Sequence, residues 1–187
     1  MDNYSDLLSG AAAGTPNGAT GEPGQVVSLQ YRVYQSFLGR YFIGHTPVLC
    51  ISGCQNAWGG LLNPARSGVD LFVNTFTVSN MSGTAFRSVA WLNADPNGRA
   101  SYSPYVSCAN TALDPVPRPK VVLASAQTQN DPFYEGTSLF TRICSPRSTV
   151  VGNYYGKIIV PPGGSFIVVL YGAGQQPIKA EVSFGWW

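Results

Sequence analysis

Charge is scarce in this 187-residue chain: Asp, Glu, Lys and Arg together make up 11% of it, under half the usual fraction of about 25%. The net charge of +2 comes from scattered Arg and Lys. No basic cluster occurs, so nucleic-acid binding has no electrostatic footprint. Histidine is nearly absent as well. His45 is the only one, in strand-like YFIGHTPV beside Thr46 and Pro47, and it reads as a partly buried or edge-strand residue rather than a catalytic base. The nine acids stand mostly singly, and the close pair in the body, Asp131 and Glu135, lies inside loop-like QNDPFYEG. A glycosidase wants two carboxylates flanking one cleft, and loop acids are usually solvated. The chain is therefore read as non-enzymatic, with no cofactor.

Long apolar runs are missing too. The first six residues hold two acids and no base, and no apolar stretch follows, so neither a secretory signal nor a membrane-spanning helix is expected. No window carries a sustained helical period. What the chain has instead is Gly (21), Pro (14) and a 44% hydrophobic fraction, enough apolar material for a core in one domain. A surface so lightly charged has little self-repulsion, which suits a subunit of an assembly.

Residues 1–25 (MDNYSDLLSGAAAGTPNGATGEPGQ) are Gly, Ala, Thr and Pro with hardly any periodicity and read as an extended arm ahead of a body at 26–187. Strand-like runs then follow quickly. Val27, Leu29, Tyr31 and Val33 alternate with polar residues; then come 41–51, 69–80, 84–94, 120–126, TSLFTRIC (137–144) and STVV (148–151). KIIV and SFIVVLYG flank Pro161, Pro162, Gly163 and Gly164, and IKAEVSFGWW (178–187) is the last run. In that last run Ile178, Ala180, Val182 and Phe184 share one face, and Lys179, Glu181 and Ser183 the other. In SFIVVLYG both faces are apolar, as for a strand covered on one side by a second sheet and on the other by the arm or a neighbour. The short connection at 80–83 predicts a β-hairpin. The fold class is all-β, a two-sheet jelly-roll-like β-sandwich of about eight to ten strands.

Four cysteines, Cys50, Cys54, Cys108 and Cys144, leave disulfides, a metal site or buried thiols open. A structural zinc site normally needs a second short Cys pair, and Cys108 and Cys144 stand apart. Ser52 and Gly53 can turn Cys50 towards Cys54, so at least one disulfide is expected, with these two as its foremost candidates. Tyr154, Tyr155, Trp186 and Trp187 could form a sugar-stacking platform, but aromatic residues in this number are first expected to fill core and subunit contacts.

The blocks WGGLLNPARSGVDLFVNTFTVSN (58–80), SVAWLNADPNG (88–98), SCANTALDPVPRPKV (107–121) and PPGGSFIVVL (161–170), with the closing FGWW, resemble an uncharacterised domain family of spore-forming Firmicutes, over residues from about 41 to 187. The architecture, an arm ahead of a jelly roll, is similar to that of the endospore appendage pilins. That resemblance implies stacking into fibres on the spore surface; the arm cysteines that cross-link those pilins have no counterpart here.

Elementary energetics point the same way. Fixing about 25 arm residues costs on the order of 25 to 50 kcal/mol of backbone entropy, and Tyr4, Leu7, Leu8, Ala11, Ala12 and Ala13 are its main apolar groups, so the arm must dock on something. Extended, it reaches roughly 80 Å at about 3.3 Å per residue, twice the body's diameter of about 40 Å. The expected function is thus a homopolymeric structural subunit joined head-to-tail through its arm, extracellular or on a cell or spore surface, with other surface-layer or spore-coat proteins as further partners. A viral or phage capsid or tail protein is one alternative, and a carbohydrate-binding jelly-roll module another.

Overall fold

The final run illustrates how alternation becomes architecture. Ile178, Ala180, Val182 and Phe184 are buried while Lys179 is exposed, so β12 turns one face into a core and the other outwards. In the computed structural model, which describes residues 28–52, 55–96, 99–128, 135–172 and 176–187, the chain runs α1 (Tyr31–Phe37), β1 (Phe42–His45), β2 (Leu49–Ile51), β3 (Asn56–Leu62), β4 (Leu71–Asn80), β5 (Phe86–Leu92), β6 (Ser101–Tyr102), β7 (Val106–Cys108), β8 (Val122–Thr128), β9 (Thr137–Cys144), β10 (Thr149–Val160), β11 (Ser165–Tyr171) and β12 (Ile178–Trp186).

The strands form two antiparallel sheets. The first has the order β10-β4-β12-β1-β7, with β2 also pairing β12; the second has the order β6-β8-β3-β11-β5-β9. Steps from β2 to β3, β3 to β4, β4 to β5, β9 to β10, β10 to β11 and β11 to β12 all cross between sheets. That wrapping is a jelly roll, as the number of unrepeated strands predicts, with β6 and β8 extending the second sheet beyond β3 and β7 edging the first. The core lies between the sheets and is built on Phe76, Phe166, Phe184, Leu61, Leu71 and Trp186.

Both apolar faces of β11 are filled. Phe166, Val168 and Leu170 enter the core between the sheets, whereas Ile167 and Val169 join Trp58, Ala124 and Ala126 in a second cluster on the outer side. Ile167 and Val169 are fully buried within the single chain, so no neighbouring subunit is needed to cover them.

Four local readings are corrected. The alternation at 27–33 does not become a strand: from Tyr31 the chain is helical, because Val33/Phe37 and Tyr34/Leu38 fall at the i, i+4 spacing of a helix and Gly39, at φ +67, closes it in the left-handed region. The N–H groups of Leu38, Gly39 and Arg40 donate to the carbonyls of Tyr34, Ser36 and Gln35. The run at 41–51 is two strands, broken where Thr46, fully buried, exchanges hydrogen bonds with the Val182 backbone. Residues 80–83 are not a hairpin but a crossover from β4 in the first sheet to β5 in the second. Buried Asn80 anchors it, its Nδ2 donating to the carbonyls of Thr84, Cys144 and Ser145 while its Oδ1 accepts from Ser82 N–H. Finally, β3, a strand absent from the runs expected in the sequence, passes through Gly59 and Gly60. A Cβ at Gly59 would lie 2.6 Å from Thr46 Cγ2 and 3.2 Å from Val182 Cβ, so the glycine is there for close approach of the sheets.

Candidate functional site

A seven-residue helix ahead of a β-sandwich should bury its apolar side. Helix α1 does the reverse. Its buried residue is Gln35, while Tyr31, Val33, Tyr34 and Phe37, with Leu29 before it and Leu38 after it, are exposed, Tyr31 at 64%. The helix is tied to the body by edges: the Tyr31 ring meets Trp187 edge-on at 6.2 Å, the Arg32 guanidinium lies 5.1 Å over the Tyr155 ring, and Asn110 Nδ2 donates to the Phe37 carbonyl. In sequence this outward apolar face follows the arm by only a few residues.

A second apolar surface runs along one side of the sandwich, where each sheet ends. Among the described residues β9 pairs only β5, and β10 pairs only β4, so there both present unpaired backbone groups. Ile143 on β9 and Val151, Tyr155 and Ile159 on β10 are more than half exposed. The rest of the edge is built inwards: Tyr154 stacks between Phe76 and Phe140 and meets Phe166 edge-on. A bulge between Asn153 and Ile158, with Tyr155 at φ 55 and Gly156 at φ 76, turns Tyr154 and Tyr155 to opposite sides. Burial raises the Tyr154 phenol above its ordinary pKa, opposed by the nearby Arg142 charge.

On the outer face of the first sheet, β1, β4 and β12 floor an open cleft of about 580 Å³ lined by Tyr41, Ile43, His45, Thr77, Tyr105 and Ser183 among others. His45 is fixed in it. Its ring stacks on Tyr105, centroids 4.7 Å apart and 4° from parallel, and its Nδ1 lies 2.9 Å from the Thr46 carbonyl and 3.2 Å from Glu181 Oε2. Both partners accept, so Nδ1 is the protonated nitrogen. At the other end Asn74 Nδ2 donates to the Tyr41 hydroxyl over 2.6 Å. Burial raises the Tyr41 phenol, with the Asn74 hydrogen bond and the Arg32 charge opposing it. Only one carboxylate, Glu181, stands beside His45, and the cleft is lined by hydroxyls and aromatic rings. That is recognition chemistry for an uncharged polar ligand.

The structure distributes the other residues singled out in the sequence. Cys50, exposed on β2, and Cys108 and Cys144, buried, are free thiols. The expected disulfide of Cys50 with Cys54 is therefore not formed, nor is any among these three: Cys50 points outwards from β2 in the first sheet, Cys108 lies at that sheet's edge on β7, and Cys144 lies in the second sheet on β9. Cys144 Sγ donates to Ser88 Oγ at 3.4 Å, and burial raises the thiol above its ordinary pKa. Cys54 lies outside the described residues, as do Asp131 and the whole arm with Tyr4, Leu7, Leu8, Ala11, Ala12 and Ala13. Glu135 is exposed. The four aromatics do not make one platform, because Trp186 is in the core and Tyr154 packs inwards while Tyr155 is exposed. Among the described residues, no three of His, Cys, Asp and Glu converge on a common point, and no helix is long and apolar enough to cross a membrane. The outward face of α1 escaped the sequence reading because a strand was expected there; the helical spacing of Val33 with Phe37, ahead of Gly39, was the available signal.

A family model, described as a family of unknown function (DUF6143), matches residues 21–187, and the chain belongs to that family. No curated protein and no solved structure matches it.

Proposed function

We propose that this member of a family of unknown function is a structural subunit that self-assembles through its N-terminal arm into a fibre on an extracellular or spore surface. The observation that carries the reading is the reversed burial of α1, with Gln35 inside and Val33, Tyr34, Phe37 and Leu38 outside, at the junction of arm and body. Six neighbouring apolar side chains in water are unfavourable at about 25 cal/mol per Å², and such patches mark interaction sites. The unpaired edges of β9 and β10 add backbone groups on which an extended segment can pair. A contact from the arm of one copy to the body of the next is heterologous, and its repetition gives an open fibre rather than a closed ring. The likeness of the sequence blocks to spore-former domains favours a surface fibre over a viral capsid.

Electron microscopy of the purified protein tests the reading: filaments are expected, and closed shells would favour the capsid alternative. Deleting residues 1–25 should leave a folded body that no longer polymerises. Normal filaments from the truncated chain would overturn the role of the arm. A second reading, a carbohydrate-binding module, is favoured by the aromatic and hydroxyl lining of the His45 cleft; calorimetric titration with neutral oligosaccharides that vanishes in Tyr105→Ala would support it.

A further inference from the structure

Charge is divided unevenly along this chain. The first 27 residues hold three of its nine acids, Asp2, Asp6 and Glu22, and none of its eleven bases, so they carry −3 while the remainder carries +5. The positive remainder has one notable concentration. At one end of the sandwich, α1, the start of β4, the end of β12 and residues 117–121 enclose a cleft of about 540 Å³, lined by Arg40, Arg118 and Lys120 and by the aromatic rings of Tyr31, Phe72 and Trp187 among others. Among the described residues Asp70 is the only acid in its wall. Among the described residues the one contact with ion-pair geometry is that of His45 with Glu181, so the three cations of the cleft have no carboxylate partner there. The aromatic floor is rigid: Trp187 stacks on Phe72 at 5.7 Å and 7° and on Tyr41 at 6.1 Å. The indole N–H groups of Trp186 and Trp187, both lining residues, are buried without an acceptor, and such orphan donors are rare unless something else satisfies them.

We infer that this cationic, aromatic-floored cleft receives the acidic N-terminal segment, residues 2–8, of a second copy of the chain. The inference rests on the arm-mediated assembly proposed above and specifies its receptor. In DNYSDLL, acids at 2 and 6 are interleaved with Tyr4, Leu7 and Leu8, which matches a rim of guanidinium and ammonium groups over aromatic rings. The cleft also adjoins the outward apolar face of α1, so a segment arriving from a neighbour covers both surfaces together. Opposite charge on arm and receptor steers the two together, and the like charge of two bodies disfavours contact without an arm between them.

The test uses full-length chains and reads the protein concentration at which polymer appears by sedimentation. Arg118→Glu with Lys120→Glu should raise that concentration at least about tenfold without lowering the melting temperature, and Asp2→Lys with Asp6→Lys should do the same. Carrying both pairs on one chain should restore assembly. For the unaltered protein, assembly should weaken between about 0.01 M and about 1 M salt, over which the screening length falls from about 30 Å to about 3 Å. Charge variants that assemble normally, or a combined variant no better than either parent, would overturn the assignment. If those variants assemble normally while deletion of 1–25 still abolishes polymer, the cleft is wrong and the arm reading stands. Restoration of melting behaviour in chains that stay monomeric would place the segment in its own body and refute the second copy as donor. Should the cleft variant fail to fold, the arm variant, altered only in residues ahead of the sandwich, still decides.

Discussion

Phe166 sits where the two sheets meet, fully buried, with Phe76, Tyr154 and Phe184 rings 5.9, 6.0 and 6.3 Å away. Replacing it with Ala removes those contacts and leaves a cavity, at a cost of about 3 to 5 kcal/mol, which lowers the melting temperature by roughly 6 to 20 °C for a chain of this size. His45→Ala removes one partly exposed ion pair and one ring stack, and should cost no more than about 1 kcal/mol and leave assembly intact. Calorimetry compares the two; equal losses would show that the outer face, not the core, bears the stability. Buried protons make a second residue-scale prediction. Tyr41, Tyr154 and Cys144 all have their pKa raised by burial, so the fold favours their neutral forms and the unfolded chain releases those protons first. Their contribution is whole below the unfolded values of about 9 for the thiol and about 10 for the phenols and is lost as pH climbs through the raised folded values. Melting temperature should therefore hold at neutral pH and fall above about pH 9, less steeply in Tyr154→Phe; a flat profile to about pH 11 would contradict it.

Helix α1 shows what an element contributes apart from stability. Among the described residues its apolar side chains stay more than a third exposed, so polar substitution there removes less from the folded state than a change in the core. Val33→Ser with Phe37→Ser should shift stability by only about 0.5 kcal/mol per site, as surface changes do, yet reduce polymer strongly in sedimentation. A large loss of melting temperature instead would mean that these side chains support the body. The crossover at 80–83 makes the complementary point. Asn80 occupies a buried position at the end of β4 because its amide satisfies three carbonyls that would otherwise be stranded where the chain changes sheets.

The whole molecule depends on its last strand. β12 is hydrogen-bonded to β4 on one side and to β1 and β2 on the other, and it supplies Ile178, Val182, Phe184 and Trp186 to the core. Without it the first sheet falls into two halves with no partner, and the second sheet loses its cover. A chain ending at residue 177 should show no cooperative melt and no near-ultraviolet circular dichroism; a cooperative transition in that truncation would refute the account. The same non-local pairing predicts slow folding, since the ends of the body must meet before the first sheet closes.

Alternation is a local property, so it was legible wherever one strand face meets the core. The inward set Ile178, Ala180, Val182 and Phe184, the doubly apolar β11 and the span 137–144 of β9 all follow from order along the chain. So does the all-β class, because proline, glycine and the absent helical period are visible without coordinates. Which sheet each strand joins is not local: the 80–83 connection has the length of a hairpin, and only the position of Asn80 among the carbonyls of Thr84, Cys144 and Ser145 marks it as a crossover. Strand β3 was missed because Gly59 and Gly60 interrupt its apolar run, and nothing in their neighbourhood reveals Thr46 and Val182 pressing from the opposite sheet. Two candidate surfaces were hidden for the same reason. The His45–Tyr105 stack and the gathering of Arg40 with Arg118 and Lys120 join residues far apart in sequence, whereas the outward face of α1 is local and was missed because its alternation reads as a strand. The sequence by itself determined that the chain is a β-sandwich and which faces it buries, through short-range periodicity; the tertiary structure alone decided what stands beside what, because that is set by packing between sheets.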